Sequence, residues 1–148
     1  AAFAGKVFAI GGTPMDEHGI LCAERYDVAA HAWARVQPIQ SLRRNSAVAV
    51  FPGSVCLFGG ASIGGLSPER ELVSAIAYDV ATQASAPLPR LEGQPRASAM
   101  AATAGKKAYI LGGTYRNKVL DSFVCYDGAT GTWERQPPMC SLRIWAAV

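Results

Sequence analysis

The sequence predicts an all-β chain made of three tandem four-stranded units, and three recurrences carry that reading. A glycine doublet closes a short apolar run at Gly11-Gly12, Gly59-Gly60 and Gly112-Gly113. A Tyr-Asp pair follows each doublet, at 26/27, 78/79 and 126/127. A proline-containing lead-in then precedes a run of small residues, starting at Pro38, Pro87 and Pro137. These landmarks divide the 148 residues into windows 1–48, 49–100 and 101–148. A period of this length marks a repeat protein, in which one unit cannot bury its apolar face alone and stacking on a neighbour does so.

Each unit is read as four strands. The inner strand follows the lead-in, near Asn45 to Phe51 in the first full register, and its small residues suit the crowded centre of a radial assembly, as at Ala47, Ala49, Ala99 and Ala147. The second strand is GKVFAIGG (5–12), GSVCLFGG (53–60) and GKKAYILGG (105–113), where Val, Ile, Phe and Tyr favour extended backbone and the glycines permit positive φ or close approach. These runs are too short for helices and end in paired glycines. The third strand is near Val73 to Asp79 and the fourth near Gln83 to Leu88. Between them the small or polar VAAHA, VATQA and GATGT segments supply a tight turn. Tryptophan follows the tyrosine by seven residues at Trp33 and Trp133, while Ser85 holds that place in the middle unit. Residues 13–23, 61–72 and 114–121 are expected to be surface loops.

Composition excludes several classes. With 50% hydrophobic and 17% charged residues, 15 glycines and 9 prolines, the chain is neither disordered, collagenous nor a long coiled coil. The net charge is +3, and the longest basic runs are Arg43-Arg44 and Lys106-Lys107, a weak footprint for nucleic acid. Cysteines at 22, 56, 125 and 140 form no CxxC pair and read as free thiols. The absence of an apolar stretch of membrane-spanning length and of a leader-like segment sets the expectation of a soluble cytoplasmic protein with no membrane partner.

The combined glycine, tyrosine and tryptophan spacing over essentially the whole chain resembles the kelch repeat family. Ser85 and the additional Gly64-Gly65 doublet depart from its pattern. The resemblance implies β-propeller blades, three four-stranded repeats per chain. Three blades leave open sheet faces, whereas propellers close with four to eight. The lacking blades are expected from a longer kelch protein or from a second copy, since two such chains would make a six-bladed ring. Gly11, Gly12, Gly59, Gly60, Gly112 and Gly113 are read as structural glycines, and Tyr26, Tyr78, Tyr126, Trp33 and Trp133 as packing residues between blades.

Chemistry is sparse. There is no phosphate loop, no GxGxxG and no compact metal-ligand spacing, and His18 and His31 are the only histidines. No enzymatic activity, metal or cofactor is expected. The resemblance implies protein recognition at one end of the ring, through loops and residues beside the inner strands. Arg43, Arg44, Asn45, Arg96, Arg143 and Trp145 fall at equivalent lead-ins, and arginines there suit an acidic peptide. Membership of the large group that selects substrates for cullin-based ubiquitin ligases through separate domains is one implied role. A scaffold or cytoskeletal role is the other, ahead of a kelch-like enzyme such as a sugar epimerase.

Overall fold

The computed structural model describes the chain apart from residues 12–22, 40, 42, 63–69 and 145–148. Three four-stranded antiparallel sheets follow one another. The first contains β1 (Ala2–Phe3), β2 (Lys6–Ile10), β3 (Ala23–Asp27) and β4 (Ala32–Val36), in that order. After β5 (Arg43–Arg44), the second is built from β6 (Ala47–Phe51), β7 (Ser54–Phe58), β9 (Ala75–Asp79) and β10 (Ser85–Leu88), while β8 (Ala61–Ser62) pairs with β5. The third contains β11 (Met100–Ala104), β12 (Lys107–Leu111), β15 (Phe123–Asp127) and β16 (Thr132–Gln136). A small hairpin of β13 (Thr114–Tyr115) and β14 (Lys118–Val119) stands on the connection after the third glycine pair, where the sequence suggested only a loop. The other two expected loops fall largely on residues outside those described.

Each of these sheets is a meander from inner to outer strand, the form of a propeller blade. The Tyr-Asp pair acquires a physical role at the turn between the third and fourth strands. Asp27 Oδ1 accepts from the amides of Ala29 and Ala30, Asp79 Oδ1 from those of Ala81 and Thr82, and Asp127 Oδ1 from those of Ala129 and Thr130. The carboxylate closes each turn by satisfying two amides that the ladder leaves behind. All three carboxyls sit below their ordinary pKa: Asp27 chiefly through Lys6, Asp79 through the Thr82 amide, and Asp127 through the Ala129 amide.

Strand alternation sends side chains to the two neighbours in turn. Val55 and Leu57 of β7 join Phe8, Ile39 and Tyr78 in a cluster between the first and second sheets. Cys56 and Phe58 face the other way and meet Ala108, Ile110, Val124 and Tyr126 of the third sheet. Small inner-strand residues make this convergence feasible, and Ala47 and Ala49 are buried as expected. Cys56 and Cys125 are buried free thiols and Cys140 is an exposed one; Cys22 and Ala147 lie outside the described residues.

The two tryptophans that follow a Tyr-Asp pair differ. Trp133 stacks on Tyr126 at 5.0 Å and meets Phe58 of the preceding sheet edge-on at 5.5 Å, while its indole N–H donates to the Pro89 carbonyl. Trp33 stacks on Tyr26 at 5.3 Å but remains 57% exposed, because its face of the first sheet has no sheet packed on it here. Within these three sheets Trp33 therefore packs on its own blade alone. In the middle blade Ser85 leaves Tyr78 without an indole, yet Tyr78 is fully buried. The outer cross-blade bond there is made instead by the Gln37 amide to Gln83 Oε1.

Replacing Trp133 with Ala should lower unfolding stability by about 2–4 kcal/mol, whereas Trp33→Ala should cost less than about 1 kcal/mol, since only the former empties a packed site. Denaturant unfolding of both variants checks the difference; equal losses would contradict it.

Candidate functional site: the inner-strand lead-ins

Each lead-in carries an arginine at the same offset from its inner strand, and the structure divides these arginines into two kinds. Arg43 is 2% and Arg96 1% exposed. Arg43 Nη1 donates to the carbonyls of Gly59 (3.0 Å) and Ser74 (3.1 Å), Nη2 to Ser74 Oγ (2.9 Å), and both Nε and Nη2 to Ser41 Oγ at 3.1 and 2.9 Å. Arg96 repeats the pattern one blade on, with Nη1 directed at the carbonyls of Gly112 (3.3 Å) and Ser122 (3.4 Å). Burial pushes both guanidinium pKa values down from the ordinary range, but arginine keeps its charge. These two side chains hold together their own blades. Their assignment to partner contact is corrected, since a group this enclosed presents no surface to a protein.

The main chain of the same residues explains the double glycines. The Arg96 carbonyl accepts from the Gly60 amide at 2.8 Å, linking the third blade's lead-in to the second blade, and the Arg143 carbonyl accepts from Gly113 at 2.9 Å. A Cβ on Gly59 would stand 2.4 Å from the Arg96 carbonyl oxygen, and one on Gly112 would stand 2.3 Å from that of Arg143. A Cβ on Gly60 would meet the Arg44 carbonyl at 2.7 Å and one on Gly113 the Ala97 carbonyl at 2.6 Å. The first glycine of each pair thus admits the next lead-in, and the second admits that of its own blade. Gly11 has the same neighbour, the Arg43 carbonyl, at 3.0 Å; Gly12 lies outside the described residues.

What remains at the surface is narrower than the sequence suggested. Asn45 is exposed and in the left-handed region at φ 55°, a conformation that asparagine tolerates better than most residues. Its repeat equivalent Ser98 has the same φ of 55° but is buried, and the Ser98 amide donates to the Asn45 carbonyl at 2.8 Å. Arg44 is half-buried beside Asn45, and Arg143 is exposed. Trp145 lies outside the described residues. Arg43, Arg44, Asn45 and Ser46 line a cleft of about 330 Å³ with Ile10 and Gly11 of the first blade. Sequence reasoning located the lead-ins but missed Ser41, Ser74 and the glycine carbonyls as arginine acceptors. The shared offset of Arg43, Arg96 and Arg143 was the available signal, since identical placement beside every glycine pair suits a structural role better than an asymmetric ligand.

Among the described residues no group of three or more His, Cys, Asp or Glu is arranged to hold a metal. Among the described residues no helix is long and apolar enough to cross a membrane.

Residues 95–139 match the family model described as the Kelch motif. It is similar to Kelch-like protein 25 of Xenopus tropicalis, with 28% identity over 131 residues that cover 86% of this chain and 20% of that protein. Among solved structures, that titled "Structure of YjhT" superimposes with a TM-score of 0.81 at 15% identity, over 95% of this chain and 51% of the other. The chain therefore spans a fifth of the first relative's length and about half of the second's. The structural likeness is one of fold, and it confirms all-β blades of the expected kind.

Gly59→Ala should destabilise the protein by about 3 kcal/mol or more, because the added methyl collides with main chain at a left-handed position. Gly53→Ala, with nothing within 4 Å of its Cβ, should cost about 1 kcal/mol from backbone strain alone. Thermal unfolding of the pair tests whether close approach, rather than φ, fixes the doublet.

Proposed function

We propose that the chain is part of a kelch-type protein-recognition module that binds an acidic peptide segment at the inner-strand lead-ins. The observation that carries this reading is the division of labour within Arg43-Arg44-Asn45. Arg43 is committed to the blade interior, which fixes the backbone from which Arg44 and Asn45 face the cleft. A guanidinium and a carboxamide on a rigid segment can bind a carboxylate and a neighbouring main-chain group together, with little ordering cost. Arg143 adds a positive group at the equivalent place by the third blade. The similarity to a kelch-like protein agrees with such a module. The adaptor and scaffold roles differ in what accompanies it.

Capture of binding proteins with wild type and with an Arg44→Ala/Asn45→Gly double variant, in which glycine keeps the left-handed backbone at 45 unstrained, tests the proposal. The variant should lose its peptide-bearing partners by about tenfold in affinity, as expected for removing a charge-assisted contact, while unfolding at the wild-type midpoint. Unchanged capture would overturn the site. A cullin in the captured set would favour the adaptor role, actin the scaffold role, and turnover of a small molecule without a protein partner the enzymatic one.

A further inference from the structure

Arg43 and Arg96 occupy equivalent positions, yet only one is fully satisfied. Around Arg43, Ser41 Oγ accepts from both Nε and Nη2, and Ser74 Oγ accepts from Nη2. The residue at Ser41's place in the next lead-in is Gln94, which is exposed and makes no such bond. Arg96 Nε is consequently buried without a hydrogen-bond partner, and so is Ser122 Oγ, the equivalent of Ser74 Oγ. Both residues belong to the wall of one cleft of about 440 Å³ formed by the lead-in at 92–96 and the third blade. Phe123, Val124 and Pro138 give that cleft an apolar side. Its other charged groups are Asp121 and the Glu92–Arg135 ion pair at 3.1 Å.

We propose that this cleft is a carboxylate-binding site, in which one carboxylate oxygen accepts from Arg96 Nε, at the place Ser41 Oγ fills beside Arg43, and the other accepts from the Ser122 hydroxyl. Arg96 Nε is a donor, so its missing partner is an acceptor, and the unpartnered Ser122 hydroxyl on the same cleft wall can donate to that group as well. A guanidinium enclosed among carbonyls favours an anionic one, because charge-assisted bonds in a low-dielectric site are the strong ones. The apolar wall suits a short aliphatic stem, as in a glutamate side chain or a small carboxylic acid. This site is separate from the Arg44 and Asn45 surface and does not depend on the function proposed there.

The test is NMR of the arginine Nε–H resonances in the isotope-labelled protein, with the Arg96 signal assigned through Arg96→Lys. Sodium acetate and an N-acetylglutamate amide are titrated at constant ionic strength against acetamide and sodium chloride. A saturable downfield shift of the Arg96 signal with either carboxylate supports the site, acetate alone indicating a free small acid and the glutamate amide a peptide side chain. Gln94→Ser restores the internal acceptor on an exposed residue without disturbing the core; it should weaken carboxylate binding about tenfold. Arg44→Ala should leave it unchanged. A shift that chloride reproduces, equal binding of acetamide, or undiminished binding in Gln94→Ser would each overturn the proposal.

Discussion

Everything in this chain depends on how closely one blade's lead-in can approach the glycine pair of the blade before it. The carbonyl of Arg96 reaches the Gly60 amide at 2.8 Å because Gly59 carries no side chain, and Gly60 makes the same room for its own blade's lead-in at Arg44. The guanidinium of the same residue then turns inward to its own blade's glycine carbonyl. One residue thus joins two sheets through its main chain and side chain, and the apolar clusters fill the wedge that this joint defines. A buried charge of this kind adds little net stability compared with an apolar filling of equal shape, but breaking it leaves an uncompensated ion, so it specifies the geometry.

The architecture was legible in the sequence because the landmarks that repeat are those the fold cannot vary. The glycine doublets mark the close approach, the Tyr-Asp pairs mark the turn that aspartate closes, and the alternation in β7 splits Val55 and Leu57 from Cys56 and Phe58. Strand ends fell within a residue or two of expectation, with the inner strand starting at Ala47 rather than Asn45 because Asn45 adopts a left-handed turn. The Arg43 and Arg96 side chains were misread because charge at the start of a strand looks solvent-facing until carbonyl acceptors some 16 residues onward are brought beside it. Trp33 shows the converse: a motif predicts which face a residue occupies but not whether a neighbouring sheet covers it.

The proposed recognition rests on the same joint. Side chains that hold the blades are removed from recognition, and the residues immediately beside them are presented on a backbone that the joint makes rigid. Variation between repeats then matters more than their likeness. Serine at 41 and glutamine at 94 leave one arginine saturated and the other short of an acceptor, and Asn45 is exposed where Ser98 is covered. The architecture is shared among the blades, and the chemistry lies in these departures from it.

The central claim is that the lead-in joint is part of the cooperative fold rather than a contact added to finished blades. Native-state hydrogen exchange at the Gly60 and Ser98 amides, which donate across blades to Arg96 and Asn45, measures this directly. The account predicts that both exchange only through the same global opening that exposes the central-strand amides of Leu57 and Ile110. Rapid exchange at Gly60 and Ser98 while those strand amides stay protected would contradict it.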